Sequence, residues 1–148
     1  MSVFPTRVLL ATDGSDEAAL AARTAADLAK ATASELHVVH VGEYLPTFFA
    51  ETEMEPAQLE REARTLLDEQ VNRIEAAGGT VTEAHFRMGR APHEILAVAE
   101  QIAAGVVVVG SRGLGGLRRA LMGSVSDSVV RHAHCPVLVV RKEKQPIT

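Results

Sequence analysis

Four short apolar runs punctuate the chain, Val8 to Ala11, Leu36 to Val41, Val106 to Val109 and Val137 to Val140, and they leave few folds open. Each is too short for a helix and most of their residues are β-branched, so each reads as a strand. A strand with one wet face alternates apolar and polar residues. These runs are mostly continuous, which fits strands buried on both faces, as in a parallel sheet covered by helices. A fifth strand is expected near Val81 to Met88, where the alternation is stronger.

The segments between the runs carry helical periodicity. Glu17 to Ala33 is alanine-rich, with Leu20, Thr24 and Leu28 four residues apart, and Pro56 to Ala77 places Leu59, Ala63, Leu66, Leu67, Val71 and Ile74 on one stripe. The Gly78-Gly79 pair stops that helix. Pro92 suits a first helical turn, Ile95, Leu96, Ala99, Ile102 and Ala103 continue one face, and Gly105 is the expected stop. A last helix is expected from Ser124 to Ala133. Strand and helix alternate throughout, which predicts a single α/β domain over residues 1–148 with right-handed crossovers.

Composition narrows the function. A chain of 148 residues buries about 68–70% of its unfolded surface, enough for a core without staples. Cys135 is the lone cysteine, so no intramolecular disulfide forms. The first residues lack a charged segment followed by an apolar one, and a cytoplasmic, reducing setting is expected. No run approaches the roughly 18 apolar residues of a membrane span. A net charge of −4 argues against nucleic-acid partners.

Residues 110 to 124 read GSRGLGGLRRALMGS, with five glycines between a buried strand and a helix. A Walker A loop needs Lys directly after its second glycine, but Gly115 precedes Gly116 and Gly123 precedes Ser124. The dinucleotide pattern GxGxxG fails at Arg118. What remains is Gly110, two residues, Gly113, nine residues, then Gly123-Ser124. That spacing offers two anion-binding turns, in which glycines at positive φ bring N–H groups close to oxygen. Ser124 is expected at a helix N-cap, where the N–H groups of Val125 and Ser126 and the helix dipole favour a phosphate. Arg112, Arg118 and Arg119 add positive charge, while Asp127 would complete a capping-box-like pair. A tight αβ connection is the competing explanation for the glycines.

The first strand ends in Thr12-Asp13-Gly14-Ser15-Asp16-Glu17. Asp16 and Glu17 fall in the first turn of the next helix and make its N-terminus a poor phosphate site. Asp13 suits hydroxyls or base N–H groups, or serves as an N-cap or Asx-turn residue. Glu43 to Glu55 is long for a βα loop and holds Tyr44, Phe48 and Phe49, which either cover the core or a subunit contact or form a lid. No metal site is expected from the six histidines: none form an i, i+4 helical pair with a third ligand, and His37 and His40 point to opposite faces of one strand. A phosphoacceptor receiver would need an aspartate ending the third strand, where the chain has Phe86-Arg87-Met88-Gly89.

Together, ATDGS at 11 to 15, GRAPHEIL at 89 to 96, VVVGSRG at 107 to 113 and GSVSDSVVRHAHCPVLVV at 123 to 140 resemble the universal stress protein family, over nearly the whole chain. The G-2x-G-9x-G-S spacing resembles that of members that bind ATP. The resemblance implies a Rossmann-like, open five-stranded parallel sheet in the order 3-2-1-4-5, with helices on both faces and the nucleotide between the ends of strands one and four. It implies that Asp13 lies near the adenosine moiety, that the backbone of Val41 meets the adenine edge, and that Ala11 and Thr12 line that pocket. Gly110, Arg112, Gly113, Gly123, Ser124, Val125 and Ser126 match positions around the ribose and phosphates. Rapid phosphoryl transfer needs a positioned base and a metal-holding carboxylate, and the segment supplies mainly arginines, serines and backbone donors. The expected function is therefore regulatory binding of ATP, with Mg²⁺ carried on the triphosphate and at most slow hydrolysis; an ATP-hydrolysing enzyme and AMP or cyclic AMP binding are the alternatives. The fifth strand, Pro136 to Val140, is an expected sheet edge and an expected homodimer contact.

Overall fold

The computed structural model describes residue 4 and residues 6–43, 55–111 and 123–142. Among the described residues nine elements alternate strictly: β1 (Arg7–Ala11), α1 (Asp16–Ala31), β2 (Glu35–Gly42), α2 (Pro56–Ala76), β3 (Glu83–Met88), α3 (Ala91–Gln101), β4 (Val106–Gly110), α4 (Ser124–His132) and β5 (Val137–Val140). The five strands form one parallel sheet in the order β3-β2-β1-β4-β5. Arg112, Gly113, Arg118, Arg119 and the aromatic loop residues Tyr44, Phe48 and Phe49 lie outside the described residues.

Alternation along the central strands explains the continuous apolar runs. Val8 and Leu10 of β1, with Val38 of β2 and Val106 and Val108 of β4, face Ala21, Ala25, Leu67 and Ile74 of α1 and α2. Leu9, Val39, Val107 and Val109 point the other way, toward Ile95, Val98 and Ala99 of α3 and Val129 of α4. Both sides are dry, so the buried residues of β1 and β4 are apolar, while β2 also buries His37 and His40. Each buried valine or leucine contributes roughly 1.5–3 kcal/mol.

Three details differ from the sequence expectations. The core face of α1 is made by alanines, Ala18, Ala21, Ala22, Ala25 and Ala29, while Leu20, Thr24 and Leu28 are only half-buried beside it. Methyl side chains let the helix axis approach the sheet, and the leucines fill the flanks. Second, α1 ends at Ala31, because Ala33 turns left-handed at φ 52° and Ser34 N–H returns to Ala29 O at 2.8 Å. Third, α3 is stopped by Ala103, also at φ 52°, rather than by Gly105, with Ala104 N–H closing on Ala99 O at 2.9 Å. The Gly78-Gly79 stop of α2 stands, with Gly78 at φ 100° and Gly79 N–H bonded to Ile74 O at 2.9 Å.

Candidate functional site

In a parallel sheet every helix that follows a strand begins at the strands' carboxyl ends, and ligands of open α/β sheets bind in the crevice there. Among the described residues four helix N-termini gather at this end, each an anion site in principle. Ser15 caps α1, its Oγ accepting from Ala18 N–H at 3.1 Å, and Asp16 and Glu17 occupy the first turn. Helix α2 opens on Glu55 and Pro56. The Glu43 carboxylate accepts from Ala91 N–H at 2.8 Å and so closes the start of α3. Helix α4 alone begins on a residue without a side chain, Gly123.

The sequence expectation put Ser124 at that N-cap; the structure corrects this by one residue. Gly123 is the cap and Ser124 the first helical residue. Gly123 has φ −62° and ψ 156°, ordinary extended backbone, so the positive φ expected there is absent. The expected Ser124–Asp127 pair does not form across a capping box either, since the Asp127 carboxylate accepts instead from Arg131 Nε at 2.9 Å. That ion pair, one helical turn long, offsets the single acid in the first turn of α4.

Gly110, at the end of β4, is glycine for a reason of packing. A Cβ there would lie 3.1 Å from the backbone carbon and 3.2 Å from the carbonyl oxygen of Glu17, where the start of α1 passes over the strand. Next to it, Ser111 gathers three elements: its N–H donates to Val140 O at 2.8 Å, its carbonyl accepts from Gly123 N–H at 2.6 Å, and its hydroxyl donates to the buried Glu17 carboxylate. Ser126 Oγ donates to Gly110 O, tying α4 back to β4. Ser111 and Glu17 were not singled out as site residues from sequence. Their only signal is the adjacency of β1 and β4, because 94 residues separate them along the chain.

Strand β1 delivers the other half of the site. Asp13 Oδ1 accepts from Ser15 N–H at 2.9 Å, an Asx turn that sets the entry to α1, and Gly14 follows at φ 83°. Thr12 is buried, its hydroxyl 3.5 Å from Gln70 Oε1 and its carbonyl accepting from His40 Nδ1 at 2.7 Å, so its side chain faces inward. Ala11 pairs with Val39, and Val41 lies two residues further along the same neighbouring strand. Ala11 and Val41 are both half-buried and pack on the α3 and α4 side of the sheet. The described part of the candidate set therefore converges: Ala11, Thr12 and Asp13 end one strand, Gly110 ends its neighbour, Val41 flanks them, and Gly123 to Ser126 open α4. A crevice of about 540 Å³ between α1 and α2 lies elsewhere, lined by Ala26, Lys30, Arg73 and Gly78 near the carboxyl ends of those helices.

A sequence profile described as the Universal stress protein family matches residues 5–141. The chain belongs to the universal stress protein family. Among curated members, universal stress protein YxiE of Bacillus subtilis is 34% identical, the alignment covering 91% of this chain and 98% of that one. Among solved structures, that of the hypothetical protein MJ0577 superposes with a TM-score of 0.77 at 26% identity, covering 97% of this chain and 100% of the other. The universal stress protein of Archaeoglobus fulgidus in complex with dAMP superposes at 0.67, with 26% identity over 93% of this chain and 98% of that one. The strand order of this universal stress protein is the one the family resemblance implied.

Proposed function

We propose that this universal stress protein is an adenine-nucleotide-binding regulatory module whose ligand is ATP. The observation that carries the reading is the bare N-terminus of α4, presented beside the ends of β1 and β4 while α1 and α3 are closed by side chains. The dAMP complex of the Archaeoglobus fulgidus relative supports an adenine nucleotide as the ligand class. In this reading Ala11, Thr12, Asp13 and the backbone of Val41 take the adenosine, and Gly110, Arg112, Gly113, Gly123, Ser124, Val125 and Ser126 take the ribose and phosphates. Mg²⁺ arrives on the triphosphate, held by phosphate oxygens and water. Ser126 Oγ is engaged by Gly110 O, which leaves Ser124 as the hydroxyl suited to reach it.

Hydrolysis is at most slow in this proposal, because Asp127, the acid of the first turn of α4, is bound by Arg131 and not poised to hold a metal or orient water. Mass spectrometry of nucleotide released from the denatured protein distinguishes ATP from AMP or cyclic AMP. At a ligand concentration about a hundred times Kd, ATP with Mg²⁺ should stabilise the fold by about 2.7 kcal/mol. A melt unmoved by millimolar ATP would overturn the assignment.

The module is proposed to work in the cytoplasm as a homodimer built on Pro136 to Val140. Strand β5 is one edge of the sheet and Leu138 is exposed, as is Val130 on the adjacent α4. Val107 N–H bonds Pro136 O and Ser111 N–H bonds Val140 O, so the even-numbered residues of β5 face β4 and the odd-numbered ones face outward. Val139→Pro removes an outward donor and leaves the ladder to β4 intact. Light scattering should then show a dimer converted to monomer or aggregate, and a monomeric wild type at micromolar concentration would refute this contact.

A further inference from the structure

Far from the carboxyl ends of the strands, two histidines meet on the α3 side of the sheet. Residues two apart on a strand share a face, so His37 lies with Val39 on β2 and Glu83 with His85 on β3. The parallel register sets His37 opposite Glu83 and Val39 opposite His85, which brings the two imidazoles together on the diagonal. His37 Nδ1 stands 3.0 Å from His85 Nε2, and the ring centroids lie 5.2 Å apart with an 18° interplanar angle, an end-to-end meeting of the two rings. Glu83 Oε2 is 3.9 Å from His85 Nε2. One atom from each of these three side chains falls within 4.8 Å of the others.

A plain histidine pair leaves something unexplained. His37 is only 5% exposed, and its Nε2 is buried without a hydrogen-bond partner, with Glu35 Oε1 3.8 Å away. Burying a polar atom without a partner is unfavourable. We propose that His37 Nδ1, His85 Nε2 and the Glu83 carboxylate form a binding site for a divalent transition-metal ion of the zinc class, with water in the fourth position. Two imidazoles and one carboxylate are a borderline donor set that suits this ion, and three protein ligands leave one position open.

The ligand atoms already stand at nearly the right separations, and because the two imidazoles meet almost end to end, each ring turns for its lone pair to point at the ion. Zn–N bonds of 2.0–2.1 Å in a tetrahedron place ligand atoms about 3.3 Å apart, between the 3.0 Å and 3.9 Å separations found here. Without metal, one proton lies between His37 Nδ1 and His85 Nε2. When the ion enters, that proton moves to the far nitrogen of the ring that carried it, so both rings stay neutral and none is released. His37 then carries its proton on Nε2, 3.8 Å from Glu35 Oε1, and a shift of Glu35 by somewhat under about 1 Å would complete the carboxylate–histidine–metal arrangement that orients such ligands. Glu35 is itself held by Arg7 Nε at 2.7 Å. The Glu83 side chain is 62% exposed and gives the ion a path from solvent. No local spacing encodes this site, because 48 residues separate the two histidines.

The test uses the full chain without an affinity tag, stripped by chelator, with Zn²⁺ for stability and Co²⁺ as the spectroscopic probe. One equivalent of Co²⁺ should give the absorption of a four-coordinate ion, and Zn²⁺ at about a hundred times Kd should raise Tm by about 5–10 °C, reversed by chelator. His85→Gln should abolish uptake, and Glu35→Gln should weaken it by about 10–100-fold. Glu83→Gln is expected to fold, since the side chain it replaces is 62% exposed; it should also weaken uptake, and it decides the matter if His85→Gln fails to fold. His134→Gln, at the surface pair His134–Glu100, should change nothing. No saturable uptake, uptake that survives His85→Gln in a folded protein, an unaltered Kd in Glu83→Gln, or loss of uptake in His134→Gln would each overturn the proposal.

Discussion

Helices α1 and α4 start from the carboxyl ends of adjacent parallel strands, so backbone geometry gives both the same partial positive charge at the same end of the sheet. Their side chains treat that charge oppositely. Helix α1 consumes it with the Ser15 hydroxyl and two acids, while α4 begins on Gly123 and pairs its one early acid with Arg131. An open N-terminus is thus a matter of sequence imposed on a shared fold. The family architecture supplies several candidate sites, and two or three side chains decide which is left for an anion.

The junction between these helices is the place where the comparison breaks most readily. Gly110 lets the first turn of α1 cross the end of β4, and Gly110→Val drives side-chain atoms into Glu17 backbone that cannot yield. Overpacking of that kind costs about 1–3 kcal/mol; urea denaturation should show it, with loss of ATP affinity because β1 and β4 separate. A loss of affinity at unchanged stability would mean that Gly110 serves the ligand alone. Next in size is Gly123→Asp, which gives α4 the kind of start that α1 has. The extended backbone at Gly123 accepts any residue, so stability should stay level or rise by a few tenths of a kcal/mol. ATP should weaken by at least about tenfold, equal to 1.4 kcal/mol, while adenosine, lacking phosphate, should bind as before. Calorimetric titration with both ligands separates these outcomes, and equal losses would refute the assignment of phosphates to α4.

What could be read in advance follows the same division. The strands and their burial were legible because a doubly covered strand is mostly a continuous apolar run, as Val106 to Val109 is. Helix stops were legible where glycine marks them, as at Gly78, and not at Ala103, where the backbone hydrogen bonds of the last turn overrule a residue that disfavours positive φ. At the site, the helix end carrying the glycines was identifiable, but the reason for Gly110 was not. It lies in a contact with Glu17 across adjacent strands, and the chain carries no local trace of it. The His37–His85 pair was hidden for the same reason. Spacing within one segment is readable, whereas chemistry assembled from two strands needs the register.

Ser15→Ala probes the closed helix. Removing the oxygen that accepts Ala18 N–H should cost about 1 kcal/mol of stability, visible in a thermal melt, with ATP affinity almost unchanged because no phosphate rests on α1. A larger loss of ATP than of stability would show that α1 also faces the ligand and would erase the contrast between the two helices.

The smallest expected effect sharpens the contrast instead of breaking it. Asp127 and Arg131 are exposed and one turn apart on α4, so Arg131→Ala should lower stability by only about 0.3–0.5 kcal/mol, the usual worth of such a pair. It also leaves the Asp127 carboxylate unopposed in the first turn, where it repels a phosphate at the same helix end. The same few tenths of a kcal/mol then appear as roughly a twofold weaker Kd for ATP. Asp127→Asn removes the acid and should act with the opposite sign, tightening ATP by a similar factor while costing the same ion pair. In the double variant the arginine no longer matters, so its affinity should equal that of Asp127→Asn within error. Salt supplies the independent check: since both charges are exposed, the effects on Kd should shrink as ionic strength approaches about 1 M, where the screening length is about 3 Å. Effects of one sign in both single variants, or effects indifferent to salt, would mean that the pair shapes the helix rather than the field at its N-terminus.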